Sequence, residues 1–223
     1  MRIISTTILV LALSIEVSAK SEKDSTIILL FDALSRKDEY VRAKEQRIYD
    51  IKRLLQMPDI TDNQRYNLYN RLQDEYHAYQ IDSATLYLEK NMTLAKRLGN
   101  EQSLIDTKLM LCFMYWQNGR FFEAVQLLGT INRRELDTMP KNLLISYYNA
   151  HKRLFRYYAD ALSDKNNDYY KRSRLYADSL LMIATPETQD YNLWVAEKFT
   201  EENRTKEARA ILLNLLAHST KED

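Results

Sequence analysis

Three histidines, one cysteine and 31 carboxylates are the side chains that could hold a metal or move a proton, yet their spacing assembles no site. His77, His151 and His218 stand far apart. None starts a His-x-x-x-His pair, and none lies at zinc-ligand spacing from a cysteine. Cys112 is the single thiol, which rules out an intrachain disulfide and a cysteine metal cluster. It falls in an apolar run, where a small buried hydrophobe is expected. There is no glycine-rich phosphate loop and no Gly-x-Ser-x-Gly elbow. The carboxylates fit solvated helix faces. These observations point to a protein that is not an enzyme and needs neither cofactor nor metal. Asn91-Met-Thr and Asn203-Arg-Thr match glycosylation acceptors in form only, because both lie in helix-forming sequence.

Binding chemistry is better represented. The chain has 16 tyrosines, several in pairs: Tyr147-Tyr148, Tyr157-Tyr158 and Tyr169-Tyr170. Two uses are open for them, an aromatic groove or interhelical packing with the hydroxyl reaching the surface. The balance of 32 basic and 31 acidic residues gives no basic stripe, and so no direct nucleic-acid partner. Arg133-Arg134 and Lys171-Arg172 with Arg174 read as solvated faces.

The elements that would position these groups are helices. Only 3 Gly and 3 Pro occur in 223 residues, with helix formers abundant. Helices are expected over Ser25–Ser35 and from Lys37 to Met57, the latter on a Tyr40, Lys44, Ile48, Ile51, Leu55 stripe ended by Pro58. Thr61 to Gln64 fits a capping box opening a third helix. Asp82-Ser83 reads as the cap of a fourth, which Gly99 ends. Leu104–Gln117 and Phe121–Ile131 follow, turning at Asn118-Gly119. A loop is expected from Arg133 to Pro140. Pro140 and Pro186 fit first helical turns, and further helices cover Asp168–Ile183 and Thr205–Ala217.

The N-terminus reads as a secretory signal over residues 1–19: Arg2, an apolar run from Ile3 to Ile15, and Val17-Ser18-Ala19 before the cut. The mature chain would start at Lys20, outside the cytoplasm, with a helical domain over 20–218 and a polar tail over 219–223.

Within that domain, residues Leu109 to Ile131 resemble one tetratricopeptide (TPR) unit. Cys112 takes the small position of the first helix, Tyr115 the aromatic, Gly119 the turn, and Ala124 the close contact of the second helix. A second copy reads Ala196, Phe199, Asn203, Ala208. A poorer third surrounds Ala84, where Tyr76 to Ala84 is 8 residues against 9 from Tyr115 to Ala124. Ala124 and Ala208 are 84 residues apart, so an extra helix pair must lie between them. The fold expected is all-α, an irregular TPR-like α-solenoid of about ten helices in antiparallel pairs.

More closely, the chain resembles a group of exported bacterial TPR proteins classed as regulators. The resemblance rests on Lys37-Asp38-Glu39-Tyr40, Lys44 to Ile48, Glu75-Tyr76, Asp82-Ser83-Ala84, Phe122-Glu123-Ala124, Tyr176 to Leu181 and Ala196-Glu197. It implies a TPR region in the periplasm, outside the inner membrane, followed in that group by a membrane helix and a cytoplasmic output region that looks DNA-binding. The sequence to Asp223 shows neither of the last two, so direct DNA binding is not carried over. Two uses are expected: a sensor domain of an envelope regulator, or a periplasmic adaptor, with a protein or peptide partner.

TPR arrays build their concave surface mainly from the first helix of each pair. That places Leu109, Phe113, Trp116 and Gln117 on one face. Counting back equally from Ala84 adds Tyr69, Gln73, Tyr76 and His77. Together they are expected to form an aromatic groove.

Overall fold

The computed structural model describes residues 27, 28, 30–32, 34–162 and 167–219. The expected signal peptide, the expected cut before Lys20 and the tail beyond Ser219 lie outside the described residues. All regular structure among the described residues is helical. The chain divides into two compact units, Met1–Pro58 and Asp59–Asp223.

In the first unit, α1 spans Lys37–Leu54. Asp38 and Glu39 open it and Lys52 and Arg53 close it, the charge order that suits a helix dipole. It stops short of the expected Met57, because the Gln56 and Met57 amides turn back to the Arg53 and Leu54 carbonyls. Ile48 and Ile51 are buried, but Tyr40 is exposed. Steps of four residues drift by about 40° each around a helix, which carries Tyr40 off the stripe.

The second unit holds α2 (Asp62–His77), α3 (Ile81–Leu98), α4 (Glu101–Gln117), α5 (Phe121–Gly129), a 3₁₀ turn (Arg133–Thr138), α6 (Lys141–Asp160), α7 (Asp168–Ile183), α8 (Gln189–Glu201) and α9 (Thr205–Ser219). They pair as α2/α3, α4/α5, α6/α7 and α8/α9. The pair α6/α7 is the extra one that the 84-residue interval required.

Most starts are capped as their residues dictate. Thr61 and Gln64 form the reciprocal box, and Asn100, Asn167 and Thr188 each accept a backbone N–H two or three residues into their helices. Some expectations need correction. The cap of α3 is Gln80, with Asp82 and Ser83 already in the first turn. Pro140 is itself the N-cap of α6, and Pro186 lies ahead of Thr188 in the turn before α8. The segment expected to be a loop from Arg133 forms the 3₁₀ turn, seated by buried Leu136. Helix α4 starts earlier than Leu104, since Asn100 caps it directly.

The repeat turns are built alike. In the α4/α5 turn Gly119 is left-handed at φ 70°, and the Arg120 amide donates to the Tyr115 carbonyl at 2.8 Å. In the α8/α9 turn Asn203 is left-handed at φ 60°, and the Arg204 amide donates to the Phe199 carbonyl at 2.8 Å. Arg120 lies over Tyr115 and reaches Glu123; Arg204 lies over Phe199 and reaches Glu207. Ala84, Cys112, Tyr115, Ala124, Ala196 and Ala208 are all buried, while Phe199 is half-buried. The α2/α3 turn differs: no left-handed residue occurs, and the Gln80 amide reaches only four residues back, to Tyr76, at 2.8 Å. All three turns leave three residues between their helices, but here the closing hydrogen bond spans one residue fewer, which accounts for 8 residues instead of 9.

The main apolar cluster joins Ile105, Leu109 and Cys112 of α4 with Leu128, Ile131, Leu136, and Leu143, Tyr147 and Leu154 of α6. The paired tyrosines of α6 and α7 pack between helices. Tyr148, His151 and Phe155 meet Tyr176, and Tyr158 meets Tyr169.

Candidate functional site

The first helices of three pairs, α2, α4 and α6, enclose a cavity of about 420 Å³. Helix periodicity decides who lines it. Gln73, Asp74 and His77 come from α2, Leu109, Phe113 and Trp116 from α4, and Ser146, Asn149, Ala150 and Arg153 from α6. Each set repeats at three or four residues, so each is one face of its helix. Ala124 and Leu128 of α5 also line it. The volume falls in the range of small-molecule sites, about 300–1,000 Å³, as does the pattern of an apolar lining with few polar groups.

One wall is a row of rings and one cation. His77 stacks on Phe113 at 6.1 Å between centroids, and Phe113 tilts against Trp116 at 6.0 Å. The Arg153 guanidinium lies 5.6 Å from the Phe113 ring and 5.8 Å from that of Trp116. Arg153 Nε donates to Asn149 Oδ1 at 3.4 Å, and Arg153 makes no ion pair among the described residues.

Two of the residues lining the cavity each carry a buried polar atom with no hydrogen-bond partner among the described residues, Gln73 Oε1 and Trp116 Nε1. Gln73 is 3% exposed. Such groups are uncommon in folded proteins and each calls for a reason. Partial burial raises the pKa of the Asp74 carboxyl even though the residue is exposed overall, with His77 pulling it partly back and Glu75 adding to the rise. Burial also pushes the Cys112 thiol up to about 12; it donates to the Ala124 carbonyl at 3.6 Å and serves packing.

Of the residues expected at the groove, Gln73, His77, Leu109, Phe113 and Trp116 line the cavity, and Tyr69, Tyr76 and Gln117 do not. Tyr76 stacks on Tyr87 of α3 at 5.8 Å and Tyr69 meets the same ring at 5.6 Å, so both face α3; Gln117 is exposed. The cause is the closing hydrogen bond of the α2/α3 turn, which spans one residue fewer than in the other two turns. With that shorter span, Phe113 corresponds to Asp74 and Trp116 to His77, not to Gln73 and Tyr76. Around the helix, Tyr69 and Tyr76 sit about 40–60° to one side of Gln73, and His77 about 40° to the other. The shorter interval from Tyr76 to Ala84 was the available signal for Asp74. Ser146, Asn149 and Arg153 had none, because α6 carries no repeat signature.

A second cavity, of about 430 Å³, lies between α6 and α8 and shares Trp116 and Arg153 with the first. Apart from the shared Arg153, its charges are mutually satisfied: Lys152 with Glu197, and Arg156 with Glu201 and Asp160. Among the described residues, no group of three or more His, Cys, Asp or Glu is placed to hold a metal ion, and no helix is long and apolar enough to cross a membrane.

Comparison with known proteins agrees with this architecture. Residues 34–223 match the family described as the SusR N-terminal TPR domain. The crystal structure of BtubC (BKLC) from P. vanneervenii is similar in fold, with a TM-score of 0.54 at 17% sequence identity, covering 84% of this chain and 76% of that one. No curated protein matches the sequence.

Proposed function

The chain belongs to the SusR N-terminal TPR domain family, and from that premise we propose that it is the non-enzymatic sensor domain of an envelope-associated transcriptional regulator, taking a ligand in the groove of α2, α4 and α6. A TPR-type helical scaffold is generally an interaction module. The observation that carries the ligand reading is a cavity of about 420 Å³ lined by Gln73 and Trp116, two residues whose buried Oε1 and Nε1 have no partner among the described residues. Polar atoms held dry and unpaired cost stability, about 1–3 kcal/mol each, unless a ligand completes them. The export reading is supported by the N-terminal run from Arg2 to Ala19.

The test is a screen of small molecules by thermal unfolding, since a ligand of the folded state raises the melting temperature by mass action. Ser146→Phe, which places a ring in the cavity, is expected to abolish the stabilisation while leaving the helical circular dichroism intact. Stabilisation that survives unchanged in Ser146→Phe and Trp116→Ala would put the ligand elsewhere. Export is checked by N-terminal sequencing of envelope material: a start at Lys20 supports it, and an intact Met1 in the cytoplasm overturns it.

A further inference from the structure

We infer that Arg153 is the anion-binding centre of the groove, and that the groove takes a small organic monocarboxylate with an apolar body and an N–H or O–H donor. This rests on the ligand reading above and narrows it to a chemical class.

Lys152, Arg153 and Arg156 are the lysines and arginines that line the two cavities, and two of them are paired: Lys152 meets Glu197, and Arg156 meets Glu201 and Asp160. Arg153 stands between Lys152 and Arg156, half-buried, with only an amide oxygen for a partner. A guanidinium keeps its charge at any working pH, and its planar fork matches a carboxylate with two parallel hydrogen bonds. Its position against Phe113 and Trp116 leaves the fork as the polar end of an aromatic wall.

Trp116 Nε1 can only donate, and it has no acceptor among the described residues. An anion held at Arg153 would bring such an acceptor beside the Trp116 ring, whose centroid lies 5.8 Å from the Arg153 guanidinium carbon. Gln73 Oε1 can only accept, and it has no donor among them. Asp74 beside it adds a second acceptor on the same helix. The ligand therefore carries an acceptor anion toward α4 and α6 and a donor toward α2, with apolar atoms between. Among the described residues lining the groove Arg153 is the one lysine or arginine, and with the Asp74 carboxylate on the α2 wall it suits a single negative charge and disfavours a phosphate dianion.

The experiment compares N-acetyl-L-phenylalanine with its neutral amide, by titration calorimetry on the chain and its variants. The acid is expected to bind at least about tenfold tighter than the amide, a difference of roughly 1.4 kcal/mol. Arg153→Gln is expected to bring the ratio to about one, and Arg153→Lys to keep part of it, because the charge stays and the fork goes. Circular dichroism confirms that the variants fold. Equal binding of acid and amide to the native chain, lost in Ser146→Phe, would overturn this inference and leave the groove as a ligand site. Failure of the acid to bind, or an acid preference that persists in Arg153→Gln, also overturns it. The groove reading itself fails only if stabilisation in the wider screen ignores Ser146→Phe.

Discussion

Helix α6 lines two cavities of nearly equal volume, about 420 and 430 Å³, that share Trp116 and Arg153, and it treats the charges toward its two neighbouring helices in opposite ways. Toward α8, Lys152 and Arg156 are tied to Glu197 and Glu201 across the interhelical gap. Toward α4, Arg153 faces rings and no carboxylate. The three cations lie within one turn of a single helix, so the difference belongs to the neighbours rather than to α6. The α8 side presents glutamates at Glu197 and Glu201, four residues apart, matching the spacing of Lys152 and Arg156. A seam with matched charges fastens the array. A groove with unmatched groups has something left to bind.

The largest effects should come from neither set of charges but from the small residues that let the helices approach. Ala124, on the groove lining, and Ala208, in the last pair, are each 3% exposed. Replacing either with Leu is expected to destabilise by about 1–3 kcal/mol through overpacking, read as a shifted denaturation midpoint. Similar losses at both would show that the repeat geometry is shared. An unchanged midpoint at Ala208 alone would mean that the α8/α9 pair packs loosely and that the seam, not the crossing, holds it.

Next come the seam charges. Glu197→Gln leaves Lys152, whose side chain is 11% exposed, without its counter-charge. Removing one partner of a buried pair costs about 3–5 kcal/mol, but the Glu197 side chain is 53% exposed, so about 1–2 kcal/mol is expected after solvent screening. Lys152→Met should cost less, because the orphaned Glu197 can rehydrate while an apolar chain fills the place of the lysine stem. Chemical denaturation of the two variants gives the order directly. The reverse order would mean that Lys152 is held by packing rather than by its charge.

These contrasts also mark how far the residues alone could be read. The helix pairs were legible because Gly119 with Ala124 and Asn203 with Ala208 place a left-handed turn and a close crossing at the same interval of five. The extra pair α6/α7 followed from arithmetic. The groove was legible on α4, where the repeat is clear, and half legible on α2, where a turn closed by a hydrogen bond one residue shorter in span rotates the lining face. It was not legible on α6. Arg153 and Arg156 look alike in sequence, and only the three-dimensional neighbours show which is paired. Likewise, no local pattern told that the tyrosines of α6 and α7 would pack on each other and leave the groove to Phe113, Trp116 and His77.

The aromatic packing on the back of α6 gives a pH-dependent contrast. His151 sits 4.2 Å from the Tyr147 ring and 4.6 Å from that of Tyr176 by centroids, and burial lowers its pKa below the usual 6.5. The unfolded chain then takes the proton more readily than the folded one. Stability should fall as pH drops below about 6.5 and level off below the folded pKa, with full stability retained above 6.5. His151→Phe is expected to remove that part of the slope, measured as the difference in melting temperature between pH 7.5 and pH 5.5. An identical slope in the variant would assign the acid sensitivity to the carboxylates instead.

The smallest expected change is the one that sharpens the comparison most. Arg153→Gln removes a cation with no counter-ion, and what the fold loses is contact with two rings, at most about 0.5–1 kcal/mol for a cation–π arrangement outside the deep core. The amide can keep a hydrogen bond to Asn149. Arg156→Gln, three residues on, breaks contacts with Glu201 and Asp160 and the ring of Tyr170 at 4.8 Å. Its carboxylate partners are partly exposed, so about 1–2 kcal/mol is expected after screening. Guanidinium denaturation is a poor probe here, because that salt screens both pairs; urea keeps the charge effect visible. If Arg153→Gln costs as much as Arg156→Gln in urea, Arg153 is a structural residue and the contrast between groove and seam collapses. If it costs little while Arg156→Gln costs more, the positive charge at 153 is not needed to hold the helices together, and its remaining role is toward what enters the groove.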